Sequence, residues 1–197
     1  YVGMSRSGHF GDRLQLAETK DFRHYHHCGL LMPQLEQRTS GFLPGKIDDR
    51  FVLFHRPLPN LWISYSRDLK KWTDSQCIFE TQKGTWFENK LGIGAPPLKT
   101  PYGWLLFWHG RNNLHEYSLG IMLLDLDDPG KIIKYQKEPI LSCEMPYEKD
   151  GFVSNVVYTN GAVHFRNKFF VYYGCGDRCL SVATVSEEEI YDWCRER

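Results

Sequence analysis

Apolar and polar residues alternate along most of this chain, and the alternation returns in a recurring pattern. Residues 14–25 read LQLAETKDFRHY and residues 61–72 read LWISYSRDLKKW. Each opens on a run with period two, which predicts a half-buried strand. Each then continues with Thr or Ser, a base, Asp, an apolar residue, two basic residues and an aromatic. Residues 180–191, LSVATVSEEEIY, are a weaker copy. Residues 119–130, LGIMLLDLDDPG, keep the strand and an acidic turn but lose the aromatic. Asp21 and Asp68 recur with the turns, so they read as Asx-turn residues rather than catalysts.

A more apolar strand precedes each copy after the first: FVLFHRP at 51–57, WLLFWHG at 104–110 and FFVYYGCG at 169–176. The links GKIDDR, TPYGW and RNK open these strands as turns. A unit of two strands joined by a short polar link thus recurs every ~50–60 residues, close to the period of propeller blades. A helical pattern is confined to residues 186–197, where a serine can cap and glutamates fill the first turn. The chain reads as all-β: one partial propeller domain over 1–197, with a short C-terminal helix. Its first unit opens in mid-strand, so further propeller is expected before Tyr1.

Composition adds little against this picture. The 197 residues are 42% hydrophobic and 24% charged, ordinary for a globular domain, but 15% aromatic, which suits a β protein or one that binds flat apolar sugar faces. Net charge is zero, so no field recommends nucleic acid or an acidic membrane as partner. No apolar run reaches the ~20 residues of a membrane-spanning helix, and the leading residues lack the apolar core of a signal peptide. A cytoplasmic location is the expectation. The six cysteines form no Cys-x-x-Cys pair and read as reduced thiols. The Cys-x3-Cys of Cys175 and Cys179 lacks nearby partners at zinc spacing, and no metal is expected.

In a propeller, polar residues at corresponding ends of the inner strands converge on a central mouth. Here these are His55 and Arg56, His109, and Asp177 after FFVYYGCG. Lys99 precedes its strand in the loop GIGAPPLKT, and Arg38 lies in LEQRTSGFLPGKI. Possible cations and one carboxylate suit an anion such as phosphate: arginine offers paired planar donors, lysine a point charge, imidazole a further donor. Glu88 reads as a surface-loop acid.

The strings GIGAPPLKTPYGWLLFWHG, LGIMLLDLDDPGKI, PYEKDGFVSNVVYTNGA and FFVYYGCGD resemble family 130 of the glycoside hydrolases, the β-mannoside phosphorylases and their relatives. The resemblance runs nearly end to end. It implies a five-bladed β-propeller, of which this chain supplies about three and a half to four blades. It also implies inverting phosphorolysis of a β-mannoside to mannose 1-phosphate, with inorganic phosphate as cosubstrate and no cofactor. An inverting glycosidase needs an acid and a base, whereas phosphate is already anionic and needs a basic cradle in place of the base. By resemblance, Arg38, Arg56, Lys99 and His109 build that cradle and Asp177 binds mannosyl hydroxyls. The family's general acid, in an Asp-Pro-Arg segment, has no match here and is expected upstream of Tyr1. Asp12 precedes an arginine but aligns with the following outer strand.

The chain departs from the family at Ile93, Ala95 and Ser154. Ile93, bulkier than the usual alanine, is expected to narrow the cavity or shift the loop. Arg111 and His115, in the loop that borders the acceptor side, are possible acceptor or phosphate contacts. Two other readings stand beside phosphorolysis: an inverting β-mannosidase on the same fold, and a non-catalytic sugar-binding fragment. A homo-oligomer is compatible with each.

Overall fold

The alternating segments pair into four antiparallel sheets, taken in chain order. The computed structural model describes residues 2–9 and 11–196. The first sheet holds β1 (Val2–Gly8), β2 (Gly11–Glu18) and β3 (His26–Leu31). The second holds β4 (Gln37–Ile47), β5 (Arg50–Pro57), β6 (Leu61–Ser66) and β7 (Thr73–Phe79). The third is built on β10 (Gly103–Arg111) and β11 (Tyr117–Leu124). There β8 (Lys90–Ile93) and β9 (Leu98–Thr100) share one edge of β10, while β12 (Ile132–Tyr135) and β13 (Leu141–Ser142) share one edge of β11. The last holds β14 (Val157–Phe165), β15 (Lys168–Cys175) and β16 (Cys179–Ser186). A four-residue helix α1 (Pro146–Lys149) precedes β14, and α2 (Glu187–Arg195) ends the described chain.

Successive sheets stack face to face with a core between each pair. The period of two assigns each strand to two cores at once. In β5, Leu53 joins the core with Leu14, Leu16 and Leu31 of the first sheet, whereas Val52 and Phe54 join the core with Leu106 and Trp108 of the third. In β10, Leu105 and Phe107 face the other way and pack with Val157, Phe169 and Val171 of the last sheet. This serial, propeller-like stacking explains why the strong strands are apolar on both faces.

The acidic turns repeat in structure as in sequence. The Asp21, Asp68 and Asp125 carboxylates each accept two backbone N–H bonds from residues two and three positions on, at 2.8–3.1 Å. Ser186 caps α2 by accepting the Glu189 N–H at 3.2 Å. The outer face of the last sheet stays uncovered among the described residues: Val163, Tyr172, Leu180 and Val182 are all exposed.

Candidate functional site

Strands β5 and β10 each carry a buried polar residue toward the end of their apolar run. Two positions beyond Phe54 on the same face of β5 comes Arg56, and two beyond Phe107 on β10 comes His109. Both are buried, at 4% and 0% exposure. Strand β8 brings them together, because its Gly92 lies opposite His109. A Cβ on Gly92 would stand 2.9 Å from His109 Nε2, 2.9 Å from Thr39 Oγ1 and 3.3 Å from Arg56 Cδ. Glycine leaves that volume open.

The recess is lined by polar atoms that lack partners. Five buried side-chain N or O atoms have no hydrogen bond among the described residues; three are Thr39 Oγ1, Arg56 Nε and His109 Nε2. Leaving a buried polar group unpaired costs about 1–3 kcal/mol, so such groups are few and each needs an explanation. Three at one point mark a place built to receive a hydrogen-bonding ligand.

The His109 ring is rigidly held. Its Nδ1 shares a 2.9 Å hydrogen bond with Thr159 Oγ1, and the Tyr158 ring lies over it at 3.9 Å between centroids. Burial, with the charges of Arg56 and Lys90, holds its pKa well below the ordinary imidazole value, so the ring is neutral. Burial also lowers the pKa of Arg56, yet a guanidinium remains charged at any physiological pH. The recess therefore carries one buried positive charge beside a neutral imidazole and a hydroxyl.

More cations surround this centre. The charges of Arg38 and Arg111 both act on Arg56. Arg111 donates from Nε to Asn89 Oδ1 at 3.1 Å, and its guanidinium lies 5.9 Å from the Tyr117 ring. Lys90 lies opposite Arg111 across the β8–β10 ladder, with Nζ 5.4 Å over Tyr117. Burial pushes the Tyr158 phenol up to about 12; Arg56 and Arg38 oppose the shift, and Tyr117 and Asp177 add to it. Asp177 sits exposed at φ +51° in the turn between β15 and β16, its charge reaching Tyr158.

Arg38, Arg56, His109 and Asp177 thus share one side of the molecule. Lys99 does not join them. Strand β9 pairs it with Trp104, five positions before His109 on β10, or roughly 17 Å at strand spacing. Its Nζ lies 5.7 Å over the Trp104 ring. The Gly-Pro loop passes the recess first and then carries Lys99 down the far end of β10. His55 occupies the opposite face of β5 from Arg56 and bonds Gln37 Oε1 at 2.7 Å and Ser64 Oγ at 2.8 Å. Ile93 points into the core between the second and third sheets, its Cδ1 2.9 Å from where a Gly41 Cβ would stand, so it does not narrow the recess. Glu88 accepts the Gly84 N–H at 2.9 Å, as a loop acid does. His115 is exposed in the turn after β10. The structure adds Lys90, Thr39 and Tyr158. The signal for Lys90 is its register: NKLGIG continues as a strand edge ahead of the Gly-Pro loop, two residues before the recess glycine.

No group of three or more His, Cys, Asp or Glu side chains suited to a metal ion occurs among the described residues. The six cysteines are free thiols.

Residues 5–196 match the family model for glycoside hydrolase family 130, described as beta-1,4-mannooligosaccharide phosphorylase. A 1,2-beta-oligomannan phosphorylase of Thermoanaerobacter sp. (strain X514) is 39% identical over 92% of this chain and 63% of its own length. A beta-1,2-mannobiose phosphorylase of the same organism is 40% identical over 78% of this chain and 51% of its own. The solved beta-1,2-mannobiose phosphorylase from Listeria innocua, in complex with beta-1,2-mannobiose, superposes with a TM-score of 0.91 at 32% identity, covering 97% of this chain and 56% of that one. The chain spans about half to two thirds of the length of these relatives.

Proposed function

Since the chain belongs to glycoside hydrolase family 130, we propose that it supplies the phosphate and mannosyl walls of a β-mannoside phosphorylase. In this reading one oxygen of inorganic phosphate occupies the recess over Gly92. Arg56 and Thr39 donate to it, and His109 Nε2 completes the contact. Arg38 and Lys90, with Arg111 behind them, neutralise the rest of the dianion. Lys90 takes the part that the resemblance gives to Lys99.

The chemistry follows from those roles. Phosphate held in line attacks the anomeric carbon of a β-mannoside from the face opposite the leaving group. The C1–O bond breaks, inversion gives α-mannose 1-phosphate, and a proton goes to the departing oxygen. No side chain needs to act as base, because the nucleophile arrives ionised and the cationic cradle fixes its direction. Asp177 accepts hydrogen bonds from mannosyl hydroxyls, and the Tyr158 and Tyr117 rings offer the sugar apolar faces. The aspartate that protonates the leaving oxygen belongs, in this reading, to residues beyond these 197, as does a fifth blade covering the exposed face of the last sheet. Inorganic phosphate is the cosubstrate, and no cofactor or metal takes part. The names of the relatives favour a β-1,2 linkage in the substrate.

The observation that carries this reading is the convergence of three unpartnered buried polar atoms on one glycine. It is tested by titrating the chain with inorganic phosphate and with mannose 1-phosphate. The reading expects the two to compete for one site that Arg56→Ala destroys. Phosphate binding that survives Arg56→Ala would contradict it. In a turnover assay on β-1,2-mannobiose with the longer protein, cleavage unchanged by removing phosphate would favour hydrolysis instead.

A further inference from the structure

Three arginines approach the recess, and each is held differently. Arg56 is immobilised by burial. Arg111 is bonded through Nε to the Asn89 amide oxygen. Arg38 is the exposed one: its side chain is 62% accessible, so burial does not hold it as it holds Arg56. Instead its Nε donates to Oδ2 of Asp12, a carboxylate only 12% accessible. Asp12 sits on β2, in the neighbouring sheet, so the bond runs between sheets rather than along β4. Among the described residues, neither Arg56 nor Arg111 nor Lys90 forms an ion pair, and Arg38 does.

We propose that Asp12 is a positioning residue for anion binding: it grips Arg38 by Nε, so that the two terminal nitrogens are presented toward the Arg56 recess. The inference rests on the phosphate reading above. A guanidinium bound sideways through Nε keeps its Nη fork free, and the fork is what recognises a tetrahedral oxyanion. An exposed arginine otherwise spreads over many rotamers, and fixing it in advance removes that cost from ligand binding. The pairing also raises the Arg38 pKa, chiefly through the hydrogen bond to Asp12, so the cation is secured. The same carboxylate adds a negative charge near the anion, which acts in the opposite direction. The sign of the effect of its removal therefore decides between gripping and repelling.

The test is calorimetric titration of the purified chain with inorganic phosphate, in wild type, Asp12→Ala, Asp12→Asn, Arg38→Ala and the Asp12→Ala/Arg38→Ala double variant. Asp12→Ala is expected to weaken phosphate binding about tenfold, as losing one oriented charge-assisted contact does. Asp12→Asn, which keeps an oxygen facing Nε, falls between it and wild type. With Arg38 already removed, Asp12→Ala is expected to change affinity less than about twofold, because only coupled residues show non-additive effects. A structural role alone would not produce that coupling. Thermal unfolding in phosphate-free buffer checks the fold, and Asp12→Ser, too short to reach Nε, replaces the alanine variant if it does not fold. Binding as tight as or tighter than wild type in Asp12→Ala, or an equal loss with and without Arg38, overturns the inference and leaves the phosphate reading standing. A wild-type chain that binds no phosphate overturns both.

Discussion

Gly92→Ala isolates the recess from everything around it. The substitution adds one methyl group, whose carbon would stand 2.9 Å from both His109 Nε2 and Thr39 Oγ1. An ordinary contact is ~3.5–4 Å, so one side must give. His109 has little room to move, since it is wholly buried, bonded to Thr159 and covered by the Tyr158 ring. Overpacking of this kind costs about 1–3 kcal/mol of stability. Binding suffers separately, because the methyl occupies the place of a ligand oxygen. Each charge-assisted hydrogen bond denied to that oxygen costs about 1.5–3 kcal/mol, or roughly ten- to a hundredfold in affinity. Calorimetric titration with phosphate reads the second effect, and thermal unfolding without phosphate reads the first. A folded Gly92→Ala chain that binds phosphate like wild type would refute the idea that the recess receives the anion.

Other expectations follow from the same geometry. Lys90→Ala is expected to weaken phosphate binding about tenfold and Lys99→Ala to leave it within twofold, since Lys90 acts on His109 and Lys99 lies at the far end of β10; equal effects measured by titration would contradict the placement. Arg56→Lys keeps the charge but loses the Nε donor and the planar fork, so phosphate affinity is expected to drop about tenfold despite an unchanged net charge. Acid should destabilise the fold through its buried imidazoles. His55 titrates at about 4 in the folded chain, against 6.5 for a free imidazole, and His109 lies well below its ordinary value, both chiefly because of burial. Below pH 6.5 the unfolded chain therefore binds more protons than the folded one. Stability falls as pH drops from 6.5 toward 4, at up to about 1.4 kcal/mol per pH unit for each ring. Denaturant unfolding at pH 7, 6 and 5 measures the slope, and a flat profile would contradict the neutral, buried state of both rings.

Period-two alternation and recurring Asp turns make the strands and their hairpins legible in the sequence. Asp21 and Asp68 are readable because a local carboxylate-to-backbone turn depends only on neighbours along the chain. Arg56 and His109 are readable as polar residues that end strongly apolar strands, although a strand apolar on both faces does not tell Arg56 from His55. Lys99 shows where this stops. Its distance from His109 in sequence says nothing of whether the intervening loop passes the site before or after the lysine. That depends on the register of two short strands, β8 and β9, on one edge of β10. The same register hides Lys90, which joins the site only once β8 is set against Arg111. His55 misleads in the reverse way, since one residue along a strand turns a side chain to the opposite face. Thr39 cannot be found from sequence at all: its role lies in an unpaired hydroxyl that only three-dimensional packing reveals.

The central claim is most directly tested by a crystal structure of the chain soaked with inorganic phosphate. The account predicts density for a tetrahedral anion with one oxygen over Gly92, at ~2.7–3.1 Å from Arg56 Nε, Thr39 Oγ1 and His109 Nε2, and the Arg38 fork turned toward it. An anion bound elsewhere on the molecule, with the Gly92 recess left without it, would contradict the account.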